Sequence, residues 1–405
     1  MASAPKKIEP AAREVPSAEP THFVAEPGRP RAAPAAGFAR RRVERLLEEA
    51  GIRVGGAHPW DIRVHDERFF WRVLAHGSLG LGESYMDGWW DCEVLDSMFT
   101  RLLQSRVERR ARGLGGFWLA LRSYLFNLQS GSRAWHVGQQ HYDLGNDLYR
   151  AMLGRRLVYS CAYWPHSNDL DSAQEAKLDL ICRKLRLGRG MHVLDIGCGF
   201  GEMLRYAAER YAVTGVGITV SEQQAKLARL RCRDLPVAIR LQDYRDLNQH
   251  FDRVVSVGMF EHVGPKNYRR YFECVRRCLG DDGLFVLHTI GGNRSTGHTD
   301  PWIEKYIFPN AVLPSARQIT EAMEGLFVLE DWHNFGTDYD RTLQAWRTNF
   351  DRAWGGLSQH YDERFRRMWR YYLSSSMAMF RSRRGQLWQL VLSPCGVPGG
   401  YRAPR

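Results

Sequence analysis

The chain has 405 residues, 44% of them hydrophobic and 25% charged, enough for one large or two modest domains with cores of their own. Fifty-seven Lys and Arg against 45 Asp and Glu give a formal charge of +12, which calls for an acidic partner such as an anionic membrane or nucleic acid. No apolar run is long enough to span a bilayer and no secretory signal pattern opens the chain, so a cytoplasmic location is expected. The eight cysteines are scattered without a C-x-x-C pair or zinc-ligand spacing, which argues against a disulfide framework and predicts no metal site. Cys274 and Cys278 share a helix face and read as core residues.

In chain order, residues 1–37 are rich in Ala and Pro and almost lack apolar periodicity, which predicts a disordered tail. From Phe38 the pattern changes. Val43, Leu46 and Leu47 fall on one helix face before Gly51, and a small, mainly helical N-terminal domain is expected over 38–112. It holds Phe69-Phe70-Trp71 and the run from Gly80 to Trp89-Trp90. Arg101, Arg106, Arg109, Arg110 and Arg112, opposed by Glu108, then lead into Phe117-Trp118-Leu119 and Tyr124-Leu125-Phe126. The stretch 113–130 is therefore a basic, aromatic linker. It suits a membrane-surface helix, with cations for headgroups and apolar bulk for the acyl boundary, and equally a solvated face followed by a packing helix. The Arg-rich segment 364–384, interleaved with Phe365, Met368, Trp369, Tyr371 and Tyr372, has the same ambiguity.

The main domain is expected over 131–405. Buried-strand runs at 192–196, 213–218, 237–241, 253–258, 284–289, 326–331 and 387–392 alternate with helical patterns such as 174–186, 221–232 and 265–279. That alternation predicts an α/β fold, a doubly wound and mostly parallel sheet with helices on both faces, whose ligands bind beyond the carboxyl ends of the strands.

Residues 193–201 read Val-Leu-Asp-Ile-Gly-Cys-Gly-Phe-Gly, an apolar strand with an acid near its end, running into Gly197, Gly199 and Gly201. Glycines let backbone N–H groups approach a ligand closely in the strand-to-helix turn. A dinucleotide fingerprint needs G-x-G-x-x-G and an acid about 20 residues further on. Here the acid, Asp195, precedes the glycines and the next strand ends in Thr219 without a carboxylate, which disfavours NAD. The arrangement resembles motif I of the class I S-adenosylmethionine (SAM) methyltransferases. Further strand ends deliver Thr219, Ser221 and Gln224, then Asp243 and Tyr244. Asp243 is placed to accept from an adenine amino group and Tyr244 to cover the ring, while Thr219 and Ser221 also read as an ordinary helix cap. Glu261 emerges from the fourth strand, where a buried carboxylate is costly unless it is paired or ligating. His288 ends the fifth; such a histidine is often structural, but two titratable groups on neighbouring strand ends favour a site.

Tyr159-Ser160-Cys161-Ala162-Tyr163-Trp164, the glycine loop, Gln242 to Asp246, Gly258 to Gly264, His288-Thr289-Ile290, Lys305 to Pro309 and Asp331 to Gly336 together resemble the cyclopropane-fatty-acyl-phospholipid synthases, a family that includes cyclopropane mycolic acid synthases. The resemblance runs in order from about residue 38 to 392. It implies a class I methyltransferase fold with lid helices, 131–405 as the catalytic domain, and methylene transfer from SAM to the cis double bond of an unsaturated acyl chain in a phospholipid. It implies that the alkene takes the sulfonium methyl, that a carbocation results, and that a bound bicarbonate removes a proton so that the ring closes. By the same resemblance Cys161, Glu261, His288, Ile290 through its backbone, and Tyr339 hold the bicarbonate, while Tyr159 and Ser160 contact SAM beside Asp195, Gly197, Gly199, Gly201, Thr219, Gln224, Asp243 and Tyr244. Glu261 next to an anion should have a raised pKa. A nucleophilic role for Cys161 is rejected, since no activating base neighbours it in sequence. Where some members carry a Cys once suspected of catalysis, this chain has Ser374-Ser375-Ser376. The expected partners are an anionic phospholipid surface, at the inner face of the membrane, and a second copy in a homodimer; no nucleic-acid partner is expected. Methyl-branched, exomethylene or hydroxylated products, and a non-catalytic basic binding protein, are the alternatives.

Overall fold

A computed structural model of the chain describes residues 34–106 and 145–405. The expected linker 113–130, and all of the expected tail except residues 34–37, lie outside the described residues; helix α1 (Pro34–Glu49) already begins within that tail.

The N-terminal part continues with β1 (Ile62–Val64), α2 (Arg68–Met86), β2 (Trp90–Cys92) and α3 (Leu95–Ser105), the two short strands pairing antiparallel. Among the described residues its buried side chains are continuous with the core of the main domain. Phe69, Phe70, Tyr85 and Trp90 are buried in one continuous cluster with Trp302, Trp346, Trp369 and Tyr371 of the main domain. Gly82 of α2 lies against the Trp302 indole, where a Cβ would stand 2.3 Å from the ring.

After α4 (Asn146–Met152) and α5 (Leu170–Lys184) the sheet begins: β3 (His192–Ile196), α6 (Glu202–Tyr211), β4 (Thr214–Thr219), α7 (Glu222–Arg231), β5 (Val237–Leu241), β6 (Phe251–Val257), α8 (Tyr268–Cys278) and β7 (Leu279–Gly292). Then follow α9 (Pro301–Tyr306), α10 (Ala316–Met323), β8 (Val328–Asn334), α11 (Thr337–Leu357), α12 (Glu363–Arg381) and β9 (Gly385–Ser393). The seven strands are ordered β5-β4-β3-β6-β7-β9-β8, all parallel except β9, which runs antiparallel to both neighbours. Each expected strand is present within a few residues. The central strands are covered on both faces and read as apolar runs, whereas the edge strands β5 and β8, expected to be buried, are largely half-buried or exposed. Helix α8 shows the other pattern, burying Tyr268, Tyr271, Phe272 and Val275 on one side with Arg269, Arg270, Arg276 and Arg277 away from it.

The Arg-rich segment 364–384 resolves as a packing helix. Trp369, Tyr371 and Tyr372 of α12 are buried, and its arginines meet acids of the N-terminal part: Arg364 pairs with Asp87, Arg367 with Asp91, and Arg381 with Asp96. Among the described residues no helix is long and apolar enough to cross a membrane.

Candidate active site

Two groups of side chains converge beyond the carboxyl ends of the strands. The first surrounds a cavity over the glycine loop. Gly197, Gly199 and Gly201 all have positive φ (83°, 52° and 80°), the left-handed conformation that an L side chain resists. A Cβ at Gly197 would come within 2.7 Å of Met259, whereas one at Gly199 would enter open space, leaving a cradle of bare backbone. Gly201 does a different job. It is not in the cavity wall; a Cβ there would lie 3.1 Å from Ala228 and Cys232, so it lets α6 start close against α7.

The other residues predicted for the cofactor all line this cavity: Tyr159, Ser160, Asp195, Thr219, Gln224, Asp243 and Tyr244. Thr219 Oγ1 donates to Gln224 Oε1 over 2.8 Å, and Ser221 Oγ caps α7 by accepting from Gln224 N–H, so Thr219 lines the cavity while Ser221, outside its lining, is the cap. Asp243 caps the turn after β5 and accepts from Arg245 Nη1 at 2.7 Å. Burial pushes the Tyr244 hydroxyl up to about 12 and the Asp195 carboxyl up to about 7. Asp195 Oδ1 is buried with no hydrogen-bond partner. A glycine cradle, an orphaned acid and a Tyr–Asp pair fit an adenosyl amino acid.

The second group lies at the ends of β6 and β7. Glu261, in the turn after β6, accepts from the Ile290 N–H over 2.6 Å through Oε1, while Oε2 is buried without a partner. Burial lifts this carboxyl to about 7, the direction expected from the sequence. The Ile290 N–H, assigned to an anion by resemblance, is thus engaged by Glu261. His288 Nδ1 stands 3.2 Å from Gln389 Nε2, and its Nε2 is buried without a partner. Burial, then the charges of Lys177 and Lys184, hold this imidazole well below its usual pKa, so it is neutral.

Cys161 and Tyr339 are buried in one apolar cluster and do not line the donor cavity. Ala162 N–H donates to Thr342 Oγ1 (3.1 Å) and Trp164 N–H to Asp338 Oδ2 (2.8 Å), which pins the segment after Cys161 to the first turns of α11, where Tyr339 stacks on Phe380. Burial raises the Cys161 thiol well above its usual pKa, the opposite of an activated thiolate. The Phe335 ring lies 5.9 Å from that of His288 and 5.3 Å from that of Tyr163, two residues after Cys161. Tyr159 is walled by Tyr149 and Trp346 at 5.4 and 5.3 Å, and its hydroxyl meets that of Tyr372 at 2.9 Å. Sequence reasoning missed Lys177 and Gln389, each one apolar-flanked residue inside an element with no local motif to mark it; Phe335 lay within the quoted Asp331 to Gly336 stretch but was given no role.

A sheet of this order with an acid-ended first strand and a glycine cradle defines a class I SAM-dependent methyltransferase. Coclaurine N-methyltransferase, 21% identical, shares the fold with a TM-score of 0.64 over 77% of this chain and 98% of that one. Residues 129–390 match the family model described as mycolic acid cyclopropane synthetase, and the chain belongs to that family. It is 54% identical over 366 residues to the cyclopropane-fatty-acyl-phospholipid synthase of Escherichia coli K12, covering 90% of this chain and 96% of that one. It is 35% identical over 381 residues to the tuberculostearic acid methyltransferase UfaA1 of Mycobacterium tuberculosis, covering 87% and 88%. The solved cyclopropane synthase CmaA1, complexed with SAH and CTAB, matches with a TM-score of 0.60 and 30% identity over 64% of this chain and 98% of that one. The chain is therefore a SAM-dependent methyltransferase of the cyclopropane synthase family.

Proposed function

We propose that the enzyme converts the cis double bond of unsaturated acyl chains in membrane phospholipids into a cyclopropane ring. What carries the reading is the pair of buried, unpartnered atoms, Glu261 Oε2 and His288 Nε2, on adjacent strand ends beside the donor cavity. A bound SAM supplies an electrophilic methyl group. The chain's own residues must then stabilise a cation, keep water away and receive a proton. Tyr159, with Tyr149, Trp346 and Tyr372 around it, offers π faces to a passing cation and a wall against water that would trap it as an alcohol. Glu261, protonated or sharing a proton near neutrality, and neutral His288 together form a proton-handling pair. Cys161, Glu261, His288 and Tyr339 would hold bicarbonate, with Ile290 orienting Glu261; the ion supplies a base for the methyl proton. Orphaned polar atoms in a dry wall fit a small oxyanion that shares a proton.

In this reading the substrate lies in an anionic membrane at the cytoplasmic face, the enzyme is peripheral to it, and two copies act as a homodimer whose linked basic surfaces raise avidity. Incubating the purified enzyme with SAM and mixed phospholipids should add the mass of one CH₂ group to monounsaturated chains, seen by mass spectrometry, with cyclopropane protons in the NMR spectrum of the product. Unchanged lipids across several headgroups would refute the proposal. A methyl branch or an exomethylene group in place of the ring would replace it with a related lipid methyl transfer, methyl transfer being the reaction in the name of UfaA1.

A further inference from the structure

The wall of the donor cavity contains a cation that the reaction described above does not use. Lys177, on α5, is 1% exposed, and its ammonium has one hydrogen bond in the structure, to Ser160 Oγ at 2.9 Å. Asp195, 2% exposed, lines the same cavity with Oδ1 unpartnered, and no ion pair joins the two. A buried cation and a buried anion that face one space without meeting each pay their own desolvation, an arrangement that a fold discards unless something charged completes it. The amino-acid end of SAM is a zwitterion, with an α-ammonium and an α-carboxylate on one carbon. We propose that Lys177 binds the α-carboxylate of SAM, while Asp195 takes the α-ammonium, so that the pair reads the amino-acid end of the donor by its two charges. The local geometry keeps Lys177 in place for this. Gln174, one turn earlier on α5, donates to the Ser160 carbonyl at 2.9 Å, so the Tyr159-Ser160 segment and the ammonium are held by one helix. Burial lowers the Lys177 ammonium to about 8, which leaves it mostly charged at neutral pH and in a medium where a charged hydrogen bond is strong.

The inference rests on the SAM reading of the cavity, and decarboxylated SAM separates the two. Calorimetric titration of the wild-type protein should show SAM binding about 10- to 100-fold more tightly than decarboxylated SAM, the range of one lost hydrogen bond between charged groups. In Lys177→Met that ratio should collapse towards one, because only the affinity for SAM falls, and Lys177→Arg should restore part of it. If Lys177→Met weakens both ligands equally, the lysine is only a clamp for Ser160 and the inference is wrong. If the wild-type protein binds the two ligands alike, the inference is overturned without any variant, which covers the case in which Lys177→Met does not fold. If the wild-type protein binds neither, the SAM reading itself fails.

Discussion

Glu261 is where chemistry and stability meet in one side chain. Its carboxyl titrates at about 7 when buried in the fold, against 4.5 in an unfolded chain. Between those values the native state holds a proton that the unfolded state has released, so folding loses stability as pH rises through this window. Glu261→Gln keeps a neutral group of the same shape and removes that dependence. Its melting temperature should therefore gain on wild type between pH 5 and pH 8, measured by thermal unfolding at several pH values; a constant gap would mean that the carboxyl is not desolvated. Asp195 has the same sign and remains in both proteins, so the difference isolates Glu261. The same variant should lose about 10²- to 10⁴-fold in turnover and keep its affinity for SAM, the pattern of a lost proton-transfer group. Glu261 was legible because a carboxylate following a buried strand is conspicuous. Its contact with Ile290 was not, since that hydrogen bond crosses from one strand end to the next.

At the scale of elements, the contact that matters is α2 on α9. Gly82 has no room for a side chain against Trp302, and Glu83 beside it accepts from Lys305 and Tyr306 on the same helix. A methyl group there must push the indole or separate the helices, so Gly82→Ala should cost about 1–3 kcal/mol and lower the melting temperature. An unchanged melt would show that the two helices do not pack in this way. Helix α12 adds a second joint, in which Asp96 of α3 is held by both Arg347 and Arg381 while Arg381 also grips Asp340, next to Tyr339. The aromatic residues of α2 and the Arg-rich, aromatic character of α12 were readable, yet the partner of neither helix was. For α12 the sequence left a choice between a membrane and a protein neighbour, because an Arg-rich helix with an aromatic stripe satisfies either, and only the acids of the N-terminal part decide it.

For the whole molecule, a charge of +12 predicts sedimentation with vesicles containing phosphatidylglycerol, weakening steeply as salt is raised, and little binding to neutral vesicles. Sedimentation velocity on the same preparation should give the mass of a dimer. Salt-independent binding would shift the membrane contact from charge to apolar insertion. The succession of the seven main-domain strands along the chain, the helices read between them, the glycine turn and the acids at strand ends were determined by the sequence alone, because each is a local pattern repeated over a few residues: apolar runs for strands, a 3.6-residue period for helices, and alternating glycines where the backbone must turn left-handed. Which side chains meet was decided only by the tertiary structure. Lys177 finds Ser160 across a helix and a loop, and Gln389 finds His288 from 101 residues away because β9 inserts antiparallel beside β7. Such pairs depend on strand order and register, which are set by how the apolar faces of distant elements fit together and leave no mark near either residue.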